Sequence, residues 1–217
     1  MQMTKLEQLL YVILIAALAI GLGASVLRPE LYVNVLSAED GPLEWGTAAF
    51  LALASVVCAQ RALRGGKGRM FAIISALGAA ILFFGAGEEI SWGQRVFGWS
   101  SGEFWVENND QAETNLHNLV VGEVKINKLI FGVLLTLAFL LYFAVLPVLR
   151  GRFDAVANWA DRWGGPVPKA RHGVAFIAAL IVMSLVPTSR SAELGKFAIG
   201  LLLAMVVLRP ANWEALR

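Results

Sequence analysis

Cysteine, histidine and charged residues are scarce in this sequence, and each shortage excludes a class of protein. Its 217 residues include one cysteine, Cys58, and two histidines. An internal disulfide is therefore impossible, and a zinc site of the Cys/His finger type lacks its ligands. Only 16% of the residues are charged, the formal net charge is +2 and no long basic run exists, so no nucleic-acid partner is expected. Internal repeats are absent too, which argues against a transporter built from inverted repeats.

Apolar residues are abundant instead, at 58% of the chain with a mean hydropathy of +0.66. Soluble domains are less apolar and carry more charge, so the composition predicts a membrane protein. A spanning helix needs about 20 mostly apolar residues. We therefore predict an all-α integral membrane bundle of six transmembrane helices, forming a single transmembrane domain over residues 1–217. The predicted spans are 9–27, 43–62, 70–87, 129–149, 172–187 and 192–208.

The charges between these spans predict an orientation. Twelve of the eighteen lysines and arginines fall on the side that holds both termini and the 61–69 and 150–171 loops. Twelve of the sixteen acidic residues fall on the other side. Since loops rich in lysine and arginine stay cytoplasmic, we expect both termini in the cytoplasm and a functional face that is extracytoplasmic.

Two segments outside the spans have a pattern typical of the membrane interface. The stretch RFDAVANWADRW, residues 152–163, places its aromatic and aliphatic residues at helical spacing, which predicts a short amphipathic helix on the inner leaflet. On the outer side, VFGWSSGEFWV, residues 96–106, carries four aromatic rings that suit the headgroup layer. We predict that residues 87–128 include an outer interfacial segment.

The stretch GEEISWGQR, residues 87–95, directly follows the third apolar run and brings charge to the end of a membrane helix. If that helix continues through Arg95, then Glu88, Ser91, Trp92 and Arg95 share one face, while Glu89 points elsewhere. Ionisable groups inside a membrane are costly and are usually paired or functional. The candidate catalytic residues are Glu88, Glu89, Ser91 and Arg95, and the candidate binding residues are Trp92, Gln94, Asn115 and Asn118.

A second polar stretch, NNDQAETNLHN, follows at residues 108–118. Asn109 or Asp110 is expected to cap a helix here, on which Glu113 and His117 would face the same way. Together with a carboxylate from GEEISWGQR they are candidate ligands for a divalent metal such as zinc. A metal held there would suit a membrane hydrolase that attacks an ester or amide in a lipid.

GEEISWGQR followed by NNDQAETNLHNL resembles a signature of small bacterial multi-pass membrane proteins of uncharacterised function. The resemblance covers residues 87–118 and implies that the two motifs belong together in a bacterial plasma (inner) membrane protein. It implies no reaction.

The pattern leaves three roles open for the outer polar residues. They are expected to bind a lipid headgroup or a membrane partner, with membrane lipids, another membrane protein or a second copy of the chain as candidates. The alternative is the metal-dependent hydrolase. A third reading is a buried network that only locks the helices together. Serine catalysis through Ser91 has less support, because no histidine stands at a fixed short spacing and no GxSxG motif is present.

Overall fold

A computed structural model describes residues 3–64, 66–120 and 132–217 of the chain. Most of these residues are helical, as the sequence predicts, and the seven main helices are named α1 to α7. They are α1 (Lys5–Leu27), α2 (Pro42–Leu63), α3 (Arg69–Glu89), α4 (Gly132–Arg152), α5 (Asp154–Trp163), α6 (Ala170–Leu185) and α7 (Ser191–Leu208). Residues 129–131 of the predicted fourth span lie outside the described residues.

Five helices, α1 to α4 and α7, are long and apolar enough to cross a membrane. α6 lies where the fifth span is predicted, but it has only 16 residues. Large apolar side chains, among them Val12, Ile15 and Ile81, are exposed on the outer surface of the long helices. An exposed apolar surface of this extent fits a bundle surrounded by lipid. The predicted amphipathic helix is confirmed as α5.

α7 is the central helix of the bundle. Leu194, Ala198, Leu201, Leu202 and Met205 are all fully buried along it. α1, α2 and α6 pack around it, and α3 packs against α2. A helix that is apolar on every side in this way belongs in the centre of a bundle.

The helix termini gather in two polar clusters, one at each end of the bundle. The basic end holds residues 3–7, 61–64, 66–69, 150–171 and 209–217. There the buried carboxylate of Glu7 accepts from Lys169 Nζ at 2.5 Å and from Arg171, and Arg61 donates to the Val207 carbonyl at 2.6 Å. The acidic end holds residues 28–41, 87–120 and 186–191, where Arg190 donates to the Ser37 carbonyl at 2.9 Å.

α4 and α6 meet at a proline-induced irregularity. Pro147 has no N–H and cannot bond the Phe143 carbonyl, and the helix widens to a π-turn over Leu141–Val145. Gly173 of α6 packs against the Phe143 carbonyl, so closely that a Cβ atom on Gly173 would lie 2.5 Å from that oxygen. The contact therefore requires glycine.

We expect Gly173→Ala to lower the free energy of unfolding by about 1–3 kcal/mol, because the added methyl group meets backbone that cannot move aside. Gly23→Ala in α1 is the matched control, since nothing lies within 4 Å of a Cβ built there. Thermal melting of both variants in detergent checks this. Equal melting temperatures would contradict the close packing of α6 on α4.

Candidate functional site at the acidic end

The chain reverses direction directly after α3 instead of continuing as a helix. α3 ends at Glu89, and Ser91, Trp92 and Gly93 then adopt left-handed backbone conformations with φ of 46°, 55° and 76°. A short helical turn, Gln94–Phe97, follows. The third helix therefore does not continue through Arg95, which was the condition for Glu88, Ser91, Trp92 and Arg95 to share one helical face. Left-handed backbone costs roughly 1–2 kcal/mol at a residue other than glycine, so contacts elsewhere must hold Ser91 and Trp92 in place.

The Trp92 indole supplies one of these contacts. Its ring folds back against α3, where it makes edge-on contacts with Phe83 and Phe84. Its Nε1–H donates to Glu88 Oε1 at 3.0 Å. A Cβ atom on Gly87 would lie 2.8 Å from the indole, so glycine at this position leaves room for the ring. The reversal thus buries the Trp92 N–H against a carboxylate.

Glu88 joins the end of α3 to the second motif. Its carboxylate is 4% exposed, and Oε2 accepts backbone N–H groups from Leu116 at 2.6 Å and His117 at 3.2 Å. The His117 ring nitrogen Nδ1 lies 3.8 Å from the same oxygen. Both carboxylate oxygens of Glu88 are therefore engaged by donors from within the chain.

Glu113 is the centre of a second, adjoining set of contacts. It is 5% exposed, and its Oε2 accepts from Ser91 Oγ at 2.5 Å and from Asn115 Nδ2 at 2.9 Å. Its Oε1 accepts from the Arg95 guanidinium. Asn115 Nδ2 also lies 2.8 Å from Ser91 Oγ. One carboxylate thus holds the reversed turn at Ser91 and the short helix at Arg95 to the second motif.

Asn109 shapes the second motif, which is irregular over residues 109–120. Its Oδ1 accepts from the backbone N–H groups of Gln111 and Glu113, and its Nδ2 donates to Asn115. Such bonds between an asparagine side chain and nearby backbone groups form a turn, and they compete with the formation of a helix. The expected helix beginning at Asn109 or Asp110 is therefore wrong, and Glu113 and His117 do not share a helical face.

The rim of the site is a set of shared ion pairs around Arg95. Its guanidinium contacts Glu39 at 2.7 Å and Asp40 at 3.1 Å in addition to Glu113. Burial alone would lower the pKa of Arg95, but these three carboxylates outweigh it and hold that pKa above its usual value. Arg190 lies 3.5 Å from Glu39 on the same rim. Sequence reasoning missed Glu39 and Asp40, because nothing local ties the first outer loop to GEEISWGQR.

The remaining predicted residues are divided between this network and its surroundings. Gln94 Oε1 accepts from the Thr114 N–H and from Ser101 Oγ, each at 3.0 Å, which also ties the two motifs together. Asn118 lies at the edge, where its Nδ2 donates to Gln111. Glu89 faces away and pairs with Lys196 of α7 at 3.0 Å. These contacts agree with the expectation, drawn from the resemblance, that the two motifs belong together.

The predicted metal ligands do not converge on one point in the described part of the chain. No group of three or more His, Cys, Asp and Glu side chains there is arranged to hold a metal ion. Glu113 gives its oxygens to Ser91, Asn115 and Arg95, and the His117 ring lies beside Glu88 instead. The residues present do not fit a zinc site of the predicted kind.

No family model, curated protein or solved structure matches the chain.

The contacts of the site favour a rigid network over a reactive centre. A general acid or base must reach the proton it transfers. Here the carboxylates of Glu88 and Glu113 are buried, and both oxygens of each accept hydrogen bonds from the chain itself. Such a fully satisfied polar network specifies a conformation.

We expect Glu113→Ala to lower the free energy of unfolding by about 2 kcal/mol or more, because the buried Ser91 hydroxyl loses its acceptor and the Asn115 amide loses one of its two. Glu107→Ala, an exposed residue of the same segment, is the control. Limited proteolysis within residues 87–120, followed by mass spectrometry, should show faster cleavage in Glu113→Ala alone. Equal cleavage in both variants would contradict the role of Glu113 as the centre of the network.

Proposed function

We propose that the chain is a multi-pass protein of a bacterial plasma membrane in which all six predicted segments, including α6, cross the bilayer. The contacts at both ends of α6 support this. Lys169 and Arg171 at its start reach Glu7 at the basic end, and Arg190 just beyond it reaches Ser37 at the acidic end. α6 therefore connects the two polar clusters.

In this proposal the basic end faces the cytoplasm, because most lysines and arginines lie there. A reporter that is active only in the cytoplasm, fused after Arg217, should then be active. The same reporter inserted after Ser100, in the acidic-end segment, should be inactive. The reverse pattern would overturn the orientation.

We propose further that residues 87–120 form an interfacial binding element that contacts a lipid headgroup or a membrane partner. One observation carries the proposal: the network fixes this segment from within, while its large apolar side chains point outward. Apart from Trp92, whose ring packs against α3, six of them are exposed, namely Val96, Phe97, Trp99, Phe104, Val106 and Leu116. Aromatic side chains at a membrane surface suit the headgroup layer, and they are also frequent anchors at protein interfaces.

The rim next to these apolar residues is polar and carries charge of both signs. Arg95 and Arg190 are each engaged by carboxylates, with Glu39 contacting both. A ligand that carries a phosphate beside an ammonium group, or a partner loop of mixed charge, would match such a rim. A second copy of the chain is included among the candidate partners.

The expected effect of Phe97→Ser combined with Phe104→Ser is loss of the bound lipid or partner without loss of stability. Both rings are exposed, so their removal deletes apolar contact area and breaks none of the hydrogen bonds of the network. Native mass spectrometry of the protein purified in mild detergent measures the masses that stay bound. A phospholipid mass, a protein mass or a dimer identifies which of the three candidates applies.

Val35→Ser is the matched control, because Val35 is exposed at the same end but lies outside the segment. If the wild type, the double variant and the control retain the same bound masses and melt alike, the binding element is wrong.

The metal-dependent hydrolase is the second candidate. Only the left-handed backbone at Ser91 and Trp92 speaks for a reactive centre, because such strain is common at functional sites, whereas the described residues do not form a zinc site. The hydrolase ranks below the binding element, because the carboxylates of the site already accept hydrogen bonds from within the chain. Elemental analysis of the same purified protein separates the two: stoichiometric metal that is lost in His117→Ala, with a lower melting temperature, would favour the hydrolase.

A further inference from the structure

A large groove lies at the basic end, at the opposite end of the bundle from the candidate site. It has a volume of about 1,020 Å³ and runs between the last turns of α4, the stretch before α6 and the first turns of α6. Its polar wall includes four cationic side chains, those of Arg150, Arg152, Lys169 and Arg171. The rest of its lining is mainly apolar.

The cations of this groove are only partly neutralised. Glu7 pairs with Lys169 and Arg171, and Asp161 lies 3.2 Å from Arg150. Arg152 forms no ion pair with any described residue. The four cations therefore face two carboxylates, which leaves an excess of two positive charges around the groove.

Hydrogen-bond donors are also in excess here. The Nε atoms of Arg150 and Arg171 are both buried and lack an acceptor among the described residues. An unsatisfied donor on a charged group is costly when water is excluded, and a phosphate oxygen is a suitable acceptor for guanidinium. The groove thus combines positive charge with donors that need anionic oxygen.

The apolar wall continues into the lipid-facing surface of the bundle. Val148 of α4 and Val174 of α6 line the groove and are both exposed, as is Ile177 one turn further along α6. α5 starts directly after α4 with the exposed side chain of Phe153 before it and that of Trp159 within it. Such an amphipathic helix lies at the level of lipid headgroups, which places the cations at the same level.

We propose that this groove binds an anionic glycerophospholipid, whose phosphate contacts Arg150, Arg152 and Arg171 while its acyl chains lie along Val148, Val174 and Ile177. Charge complementarity selects the headgroup, and the apolar wall distinguishes a lipid from free phosphate. Basic pockets between transmembrane helices on the cytoplasmic side recognise acidic lipids in this way. The proposal does not depend on the binding element at the acidic end.

The test titrates the full-length protein in detergent with phosphatidylglycerol or phosphatidylcholine and counts bound lipid by native mass spectrometry. The wild type should bind phosphatidylglycerol in preference. Arg150→Gln combined with Arg152→Gln should weaken that binding about tenfold, as the loss of charge-assisted phosphate contacts implies. Arg64→Gln removes an exposed charge from the same end outside the groove, and it should change binding less than about twofold.

Arg152→Gln alone is the control for a folding defect, because Arg152 has no ion pair to lose among the described residues. In the absence of lipid, this variant should have the melting temperature of the wild type. It should nevertheless bind phosphatidylglycerol more weakly than the wild type does. Inorganic phosphate is tested as a competitor of the lipid. If millimolar phosphate displaced phosphatidylglycerol completely, the groove would be a phosphate site without selection for lipid, and the proposal would be overturned. Equal binding of phosphatidylglycerol to the wild type and to the groove variants, or equal loss with Arg64→Gln, would overturn it as well.

Discussion

Burying an ionised carboxylate costs several kcal/mol unless donors replace the water it loses. This constraint shapes the acidic end of the molecule. Glu88 and Glu113 are both almost fully buried, and the chain between them bends so that backbone, hydroxyl, amide, indole and guanidinium groups reach their oxygens. The left-handed backbone at Ser91 and Trp92 follows from the same need, since only a reversed turn brings both side chains to their acceptors.

The five long apolar helices could be predicted from the sequence because the cause of each is local. Apolar run length alone decides whether a helix can cross a membrane, and the helix boundaries differ from the predicted ones by a few residues. The reversal at Ser91 could not be predicted, because helical periodicity assumes that the helix continues. The contacts that stop it come from Glu113, twenty-two residues away.

The site residues were predicted better than their geometry. Nine of the ten residues proposed from the two motifs make hydrogen bonds within residues 87–120, all but Glu89, and this follows from a general rule: polar groups beside a membrane span need partners. Their roles were harder to predict. The spacing of Glu113 and His117 suggests a shared ligand face only on a helix, and the turn formed by Asn109 removes that helix. Lys196, which pairs with Glu89, belongs to a different helix and carries no local signal.

The short helix α6 connects the acidic end of the bundle to the basic end. Its 16 residues span about 24 Å, less than the hydrocarbon core of about 30 Å. A helix too short for the bilayer thins it locally or relies on flanking side chains that reach the headgroups. Arg171 and Lys169 at one end and Arg190 at the other supply such side chains. The groove at the basic end opens beside the start of α6, where this mismatch would draw headgroups inward, towards arginines whose Nε atoms lack an acceptor. If α6 crosses the bilayer as we propose, its mismatch and the charge of the groove act at the same place.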